Sequence, residues 1–166
     1  RKMAREARND KEGRPVVYNT SGINVAELKV DEAATEAKIV KMYPAHDAQP
    51  IENATDGTDV AVICDVTAFH AEGGGQLGDI GTITAPTGVI AVNVTKKLPD
   101  GAVIMIGSVT EGTVAVGDAV TFAVDKARKM DIARNHTATH LLHAALKQVL
   151  GAHCLLYTSD AADDRI

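Results

Sequence analysis

TVAVGDAVTFAVDKARKMDIARNHTATHLLHAALKQVLG, residues 113–151, changes its hydrophobic period at Asp125. Up to Val124 the stretch has strand character. Beyond it, Leu141, Leu142, Ala145, Leu146, Val149 and Leu150 recur at helical spacing, and Gly151 supplies a C-terminal stop. A strand therefore gives way to a helix with an apolar face.

Upstream of that switch lie only short runs of strand character. TEAKIVKMY (35–43) alternates, and DVAVICDV (59–66) is the continuous apolar run of a buried strand. DIGTI (79–83), GVIAVNV (88–94), AVIMIGSV (102–109) and TVAVGDAVTFAV (113–124) follow, separated by the turn signals TDGTD, APTG, PDG and EGT. Five or six short strands with no helix between them predict a small antiparallel β-barrel or sandwich, and with the terminal helix an α+β class. The carrying range is 29–125. Residues 15–28 open with turn formers and read as a linker, and the charged segment 1–14 reads as the end of an upstream helix, so a piece of a longer protein is expected.

The 166 residues are 45% hydrophobic and 23% charged, which suits compact folding rather than a disordered or fibrous chain. No apolar run approaches the roughly 18 residues of a spanning helix, and RKMAREARNDKEGR lacks the apolar stretch of a secretion signal. Two cysteines, Cys64 and Cys154, are too few for a disulfide framework. A cytoplasmic protein with no membrane partner is the expectation. The net charge of −5 disfavours a wholly basic nucleic-acid binder, but residues 15–124 hold five basic and fourteen acidic side chains, whereas residues 125–150 hold five and two. RNA contact is expected from the ends of the chain, since phosphate affinity follows local Lys and Arg density; ordinary solvated helix faces are the alternative.

Two constellations carry chemistry. His136 and His140 stand at i and i+4, so their imidazoles leave one helix face within reach of a single ion. They make half of a tetrahedral site at most, and such a pair is otherwise packed or solvated. His143 reads as structural. The loop FHAEGGGQLGD (69–79) either is a tight hairpin or lets a small substrate group approach the backbone, with the Gln76 amide offering a donor and an acceptor and Asp79 holding the turn. It fits neither GxGxxG nor a P-loop. Cys64 reads as a buried small hydrophobe.

Together, DVTAFHAEGGGQLGDIG (65–81), GDAVTFAVD (117–125) and ARNHTATHLLHAALKQVLG (133–151) resemble the editing region of alanyl-tRNA synthetases and the free-standing editing proteins related to it, over about residues 20–152. The resemblance implies a small β-barrel followed by the first helix of an α+β zinc-binding editing domain, here starting at 126–153. It implies zinc on His136 and His140, completed in the family by a later CxxxH motif. It places Gly74, Gly75 and Gln76 by the substrate, with Gln76 and Thr67 as catalytic candidates and Asp79 as a further substrate-side residue. Phe69-His70 departs from the family's usual Phe-Tyr. Residues 154–166 do not follow the family pattern and read as a non-native tail, which leaves Cys154 outside the zinc set. The implied partners are the acceptor end of tRNA(Ala) and other domains of the same synthetase, not DNA. ATP and magnesium belong to a catalytic domain upstream. A free-standing trans-editing deacylase and a non-catalytic tRNA-binding module are the other readings. An apolar pocket separates alanine from glycine or serine by only about 1–3 kcal/mol, so the chemistry calls for a second, hydrolytic site.

Overall fold

The computed structural model describes residues 16–74 and 76–150. The expectations for residues 1–14, Gly75, Gly151 and 154–166 lie outside the described residues.

Among the described residues nine strands precede one long helix, the α+β order expected. They are β1 Lys29–Val30, β2 Glu36–Pro44, β3 Asn53–Thr55, β4 Asp59–Cys64, β5 Val66–Thr67, β6 Gly81–Ala85, β7 Gly88–Lys97, β8 Val103–Ala115 and β9 Ala119–Val124. The helix α1 spans Lys126–Leu150. Strands β8, β4, β2, β9, β6 and β7 pair in that order, and β7 pairs back onto β8, so the antiparallel strands close into a ring with β3 added at the far end of β8. Closure removes open sheet edges, which otherwise invite pairing with other chains.

The continuous apolar run in β4 has a direct cause. Val60, Val62 and Cys64 join Met42, Phe69, Ile83, Ile90 and Met105 in one core cluster. The alternate residues Ala61 and Ile63 join a second, with Tyr43, Ile104, Ile106 and Tyr18. Strand β4 is buried on both faces because residues 16–28, the expected linker, lie over its far side. Val16, Ile23 and Leu28 pack against that second cluster. The Tyr18 hydroxyl donates to the Ala45 carbonyl at 2.7 Å, Tyr43 donates to the Asn19 carbonyl, and the Lys41 ammonium donates to the carbonyls of Asn19 (3.0 Å) and Ser21 (2.6 Å). Burial pushes the Tyr18 pKa up to about 12, so its hydroxyl stays a neutral donor.

The sequence reading placed a turn at EGT and ran one strand from 113 to 124. Both points need correction. Strand β8 continues through Thr110-Glu111-Gly112, and its pairing with β7 skips one residue there, since Ile90 faces Val109 while Val89 faces Glu111. Gly112, at φ +66°, absorbs that bulge without ending the strand. The reversal comes at Val116-Gly117-Asp118, where the Asp118 N–H donates to the Ala115 carbonyl and the Asp118 carboxylate accepts from the Ala115 N–H at 2.9 Å. Strand β3 and the parallel β1–β5 pair are short pieces that the sequence reading did not contain.

Candidate functional site

The loop between β5 and β6 is built at its neck. The His70 N–H donates to the Asp79 carboxylate at 2.9 Å, and the Asp79 N–H donates to the His70 carbonyl at 2.9 Å. The Thr95 hydroxyl of β7 donates to the Asp79 carbonyl at 2.8 Å, and the Thr95 carbonyl accepts from the Glu72 N–H at 2.9 Å. Asp79 is buried, 5% exposed. Gly78 is compulsory there, because a Cβ on it would meet the Thr95 carbonyl oxygen at 2.4 Å. At the tip, Gly73 and Gln76 exchange backbone hydrogen bonds around Gly74, whose φ is +54°. Gly73 and Gly74 are exposed and Gln76 is half-buried. A rigid neck thus presents a tip with little side chain around one carboxamide, which suits close approach by a small polar group.

Helix α1 starts beside that neck for local reasons. The Asp125 N–H donates to the Ile80 carbonyl at 2.8 Å, and the Asp125 carboxylate accepts from the Arg128 N–H at 3.1 Å, an N-cap. One turn on, the Lys129 ammonium lies 3.3 Å from the Asp79 carboxylate and 3.2 Å from that of Glu32. His136 and His140 follow Lys129 by seven and eleven residues, roughly two and three turns, so all three lie on one stripe of the helix. The two imidazoles meet edge to face with centroids 4.4 Å apart and Nε2 atoms 2.9 Å apart. Two nitrogens on one tetrahedral zinc stand about 3.3 Å apart, as Zn–N bonds of about 2.0–2.1 Å require. A slight opening of the pair therefore fits two of four zinc positions. Among the described residues no third His, Cys, Asp or Glu joins them in a metal-sized cluster.

Residues 1–128 match the family of tRNA synthetases class II (A). The chain is 39% identical, over an alignment of 167 residues, to the alanine–tRNA ligase of Acetivibrio thermocellus, a match taking in 99% of this chain and 19% of the relative. It is 40% identical over 151 residues to that of a Thermoanaerobacter species (90% and 17%), and 42% over 118 residues to that of Bacillus velezensis (71% and 13%). The chain belongs to the alanyl-tRNA synthetase family. It spans between about an eighth and a fifth of the length of these relatives. The match to the Acetivibrio ligase, at 99% of the chain, also runs into residues 154–166.

Within this synthetase segment, the sequence-derived site residues fall into two groups. Gly74 and Gln76 form the loop tip, and His136 and His140 meet on the helix. Thr67 and Asp79 are instead engaged inside the fold. The buried Thr67 hydroxyl accepts from the Phe69 N–H at 3.1 Å and lies 3.3 Å from the Met105 sulfur, fixing the entry to the loop. Asp79 closes the neck and holds Lys129. Sequence reasoning passed over Lys129, Glu32 and Thr95. The available signal for the first was its spacing of seven from His136. Among the described residues no helix is long and apolar enough to cross a membrane.

Burial disfavours the charge on Lys129, but the Glu32 and Asp79 carboxylates outweigh it and hold the pKa above the ordinary 10.5. A raised lysine pKa contributes stability that is present below its unfolded value and fades as pH climbs through the folded one. The gap in melting temperature between the wild type and Lys129→Gln is accordingly expected to be constant from neutral pH to about pH 10 and to shrink above the ordinary lysine pKa of 10.5. Thermal melts followed by circular dichroism across that range check this; a gap that widens with pH would contradict it.

Proposed function

We propose that this segment is part of the proofreading region of an alanine–tRNA ligase, which hydrolyses seryl and glycyl esters wrongly attached to tRNA(Ala). The observation that carries this reading is the shared stripe of Lys129, His136 and His140, because Lys129 is joined to Asp79 at the neck of the glycine loop. The intact ligase attaches alanine to tRNA with ATP and magnesium in a domain outside this segment, and the two centres divide synthesis from correction. Discrimination by size is weak for such small side chains, which is the reason for a second site.

In this reading the loop tip receives the aminoacyl end of the tRNA. Gly74 and Gly75 let the ester approach the backbone, and the Gln76 carboxamide donates to or accepts from the serine hydroxyl or the ester carbonyl. A water oxygen attacks the ester carbon, the bond to the ribose oxygen breaks, and that oxygen takes up a proton. His136 and His140 would hold zinc as neutral imidazoles, with the remaining ligands from elsewhere in the ligase. When bound, zinc orients the aminoacyl end or lowers the pKa of water toward 7. Thr67 and Asp79 keep the loop in shape. The basic side chains of α1 offer charge for the acceptor-end phosphates.

The test places this segment in the Acetivibrio thermocellus ligase in place of its counterpart. Gln76→Ala is expected to slow hydrolysis of seryl-tRNA(Ala) by about 10- to 100-fold, the range of one hydrogen bond to a polar substrate group, with alanylation of tRNA unchanged. Equal hydrolysis by both forms would remove Gln76 from the site.

A further inference from the structure

We infer that Lys129 is a positioning residue: its ammonium sets the rotation and lean of helix α1 against the neck of the glycine loop, so that the face carrying His136 and His140 turns toward Gly74 and Gln76. The inference rests on the hydrolytic reading above for its purpose, but on geometry for its content. A helix that leaves a strand through one capped turn is held at its start and free to roll about its axis. Asp125 supplies the start, through its N–H to Ile80 and its carboxylate to the Arg128 N–H. Side-chain contacts of the first turns then fix the roll.

Lys129 makes that contact on two sides. Asp79 lies in the loop neck, and Glu32 lies in the turn after β1. The Asp79 oxygen that faces Lys129 also accepts from the His70 N–H, so the ammonium and the neck share one atom. That carboxylate is buried and needs a compensating charge. Losing Lys129 therefore leaves the neck formed but the helix without its lateral hold. The lever is long: Val149 lies twenty residues beyond Lys129, roughly 30 Å along the axis at 1.5 Å per residue. Over the seven residues to His136, roughly 10 Å along the axis, a small lean already displaces the imidazoles relative to the loop tip.

Spin labels on Leu77→Cys in the loop and Val149→Cys near the helix end report this directly. Both positions are exposed, 59% and 80%, while Cys64 is buried and Cys154→Ser removes the other thiol of the sequence. In the full chain, the wild type and Lys129→Arg are expected to give one narrow distance distribution. In Lys129→Gln the distribution is expected to widen about twofold as the helix samples several orientations, while the strand ring still melts in one cooperative transition, lowered from that of Lys129→Arg by the loss of the ion pair. Adding Lys129→Gln to the Asp79→Asn, Glu32→Gln double variant should widen it no further, because those two changes already remove both contacts of Lys129. A narrow distribution in Lys129→Gln, or failure of Lys129→Arg to restore it, overturns the inference. The measurement uses neither zinc nor tRNA. If the distances behave as expected but the wild-type segment placed in the ligase shows no seryl-tRNA hydrolysis, the hydrolytic reading falls and the positioning role stands. If hydrolysis drops in Lys129→Gln while the distances remain unchanged, the positioning role falls and the hydrolytic reading stands.

Discussion

Gly107→Ala is expected to destabilise the strand ring by about 3 kcal/mol or more, at the upper end of the cost of forced overpacking. Gly107 sits in β8, where it pairs with Val60 of β4 on one side and Val92 of β7 on the other. A Cβ added there would lie 1.9 Å from the Ala91 carbonyl oxygen, 2.7 Å from its carbon and 2.9 Å from the Val92 Cα. All three are backbone atoms, so no side chain can swing aside; the β7–β8 ladder has to part. That ladder closes the ring, and its loss exposes the edges of two long strands and opens the core around Ile90, Val92 and Met105. The control is Gly57→Ala. Gly57 has φ +80° and no atom within 4 Å of its added Cβ, so its cost is conformational only, about 1 kcal/mol. In thermal melts Gly107→Ala should fall on the order of 10 °C below the wild type and well below Gly57→Ala. Equal melting of the two variants would show that the ring does not depend on this close approach.

The second large effect concerns the imidazole pair. With the segment placed in the full-length ligase, His140→Ala is expected to lose stoichiometric zinc and to reduce seryl-tRNA(Ala) hydrolysis by at least about 100-fold, since even outer-shell partners of metal ligands are worth 10–100-fold. The two Nε2 atoms already converge to 2.9 Å, so the pair needs only a slight opening to grip one ion, and removing one ring leaves a single nitrogen from this helix. His143 gives the contrast: it lies near the same stripe, but it stands one turn beyond His140 and outside the pair whose Nε2 atoms converge. Zinc content by atomic absorption, with His143→Ala beside His140→Ala, separates the two. Equal zinc in wild type and His140→Ala would sink the assignment.

Parts of this architecture were legible residue by residue. The continuous run in β4 announced a strand buried on both faces, and the structure supplies the two clusters that bury it. The change of period at Asp125 located α1, because Asp125 is itself the cap. The boundary between β8 and β9 was misread because glycine marks both a bulge and a reversal. Gly112 and Gly117 share positive φ, and only the pairing partners tell which one turns the chain. The segment 16–28 read as a linker because its turn formers are visible in sequence and the hydrogen bonds from Tyr18, Lys41 and Tyr43 that fix it are not. The candidate site divides in the same way. The loop and the His pair follow from local spacing, whereas Lys129 shows its role only through carboxylates 50 and 97 positions away.

What the sequence by itself determined is whatever depends on neighbours along the chain: the strand and helix periods, the cap at Asp125, the glycine tip of the loop and the i, i+4 projection of two imidazoles. What only the tertiary structure decided is how those pieces face one another, namely closure of the ring through β7 and β8, the covering of β4 by residues 16–28 and the roll of α1 set by Lys129 on Asp79. The physical reason is that periodicity fixes which side of an element is apolar, while the angle between two elements is set by contacts between residues far apart in the chain. A single sequence carries no local trace of those contacts.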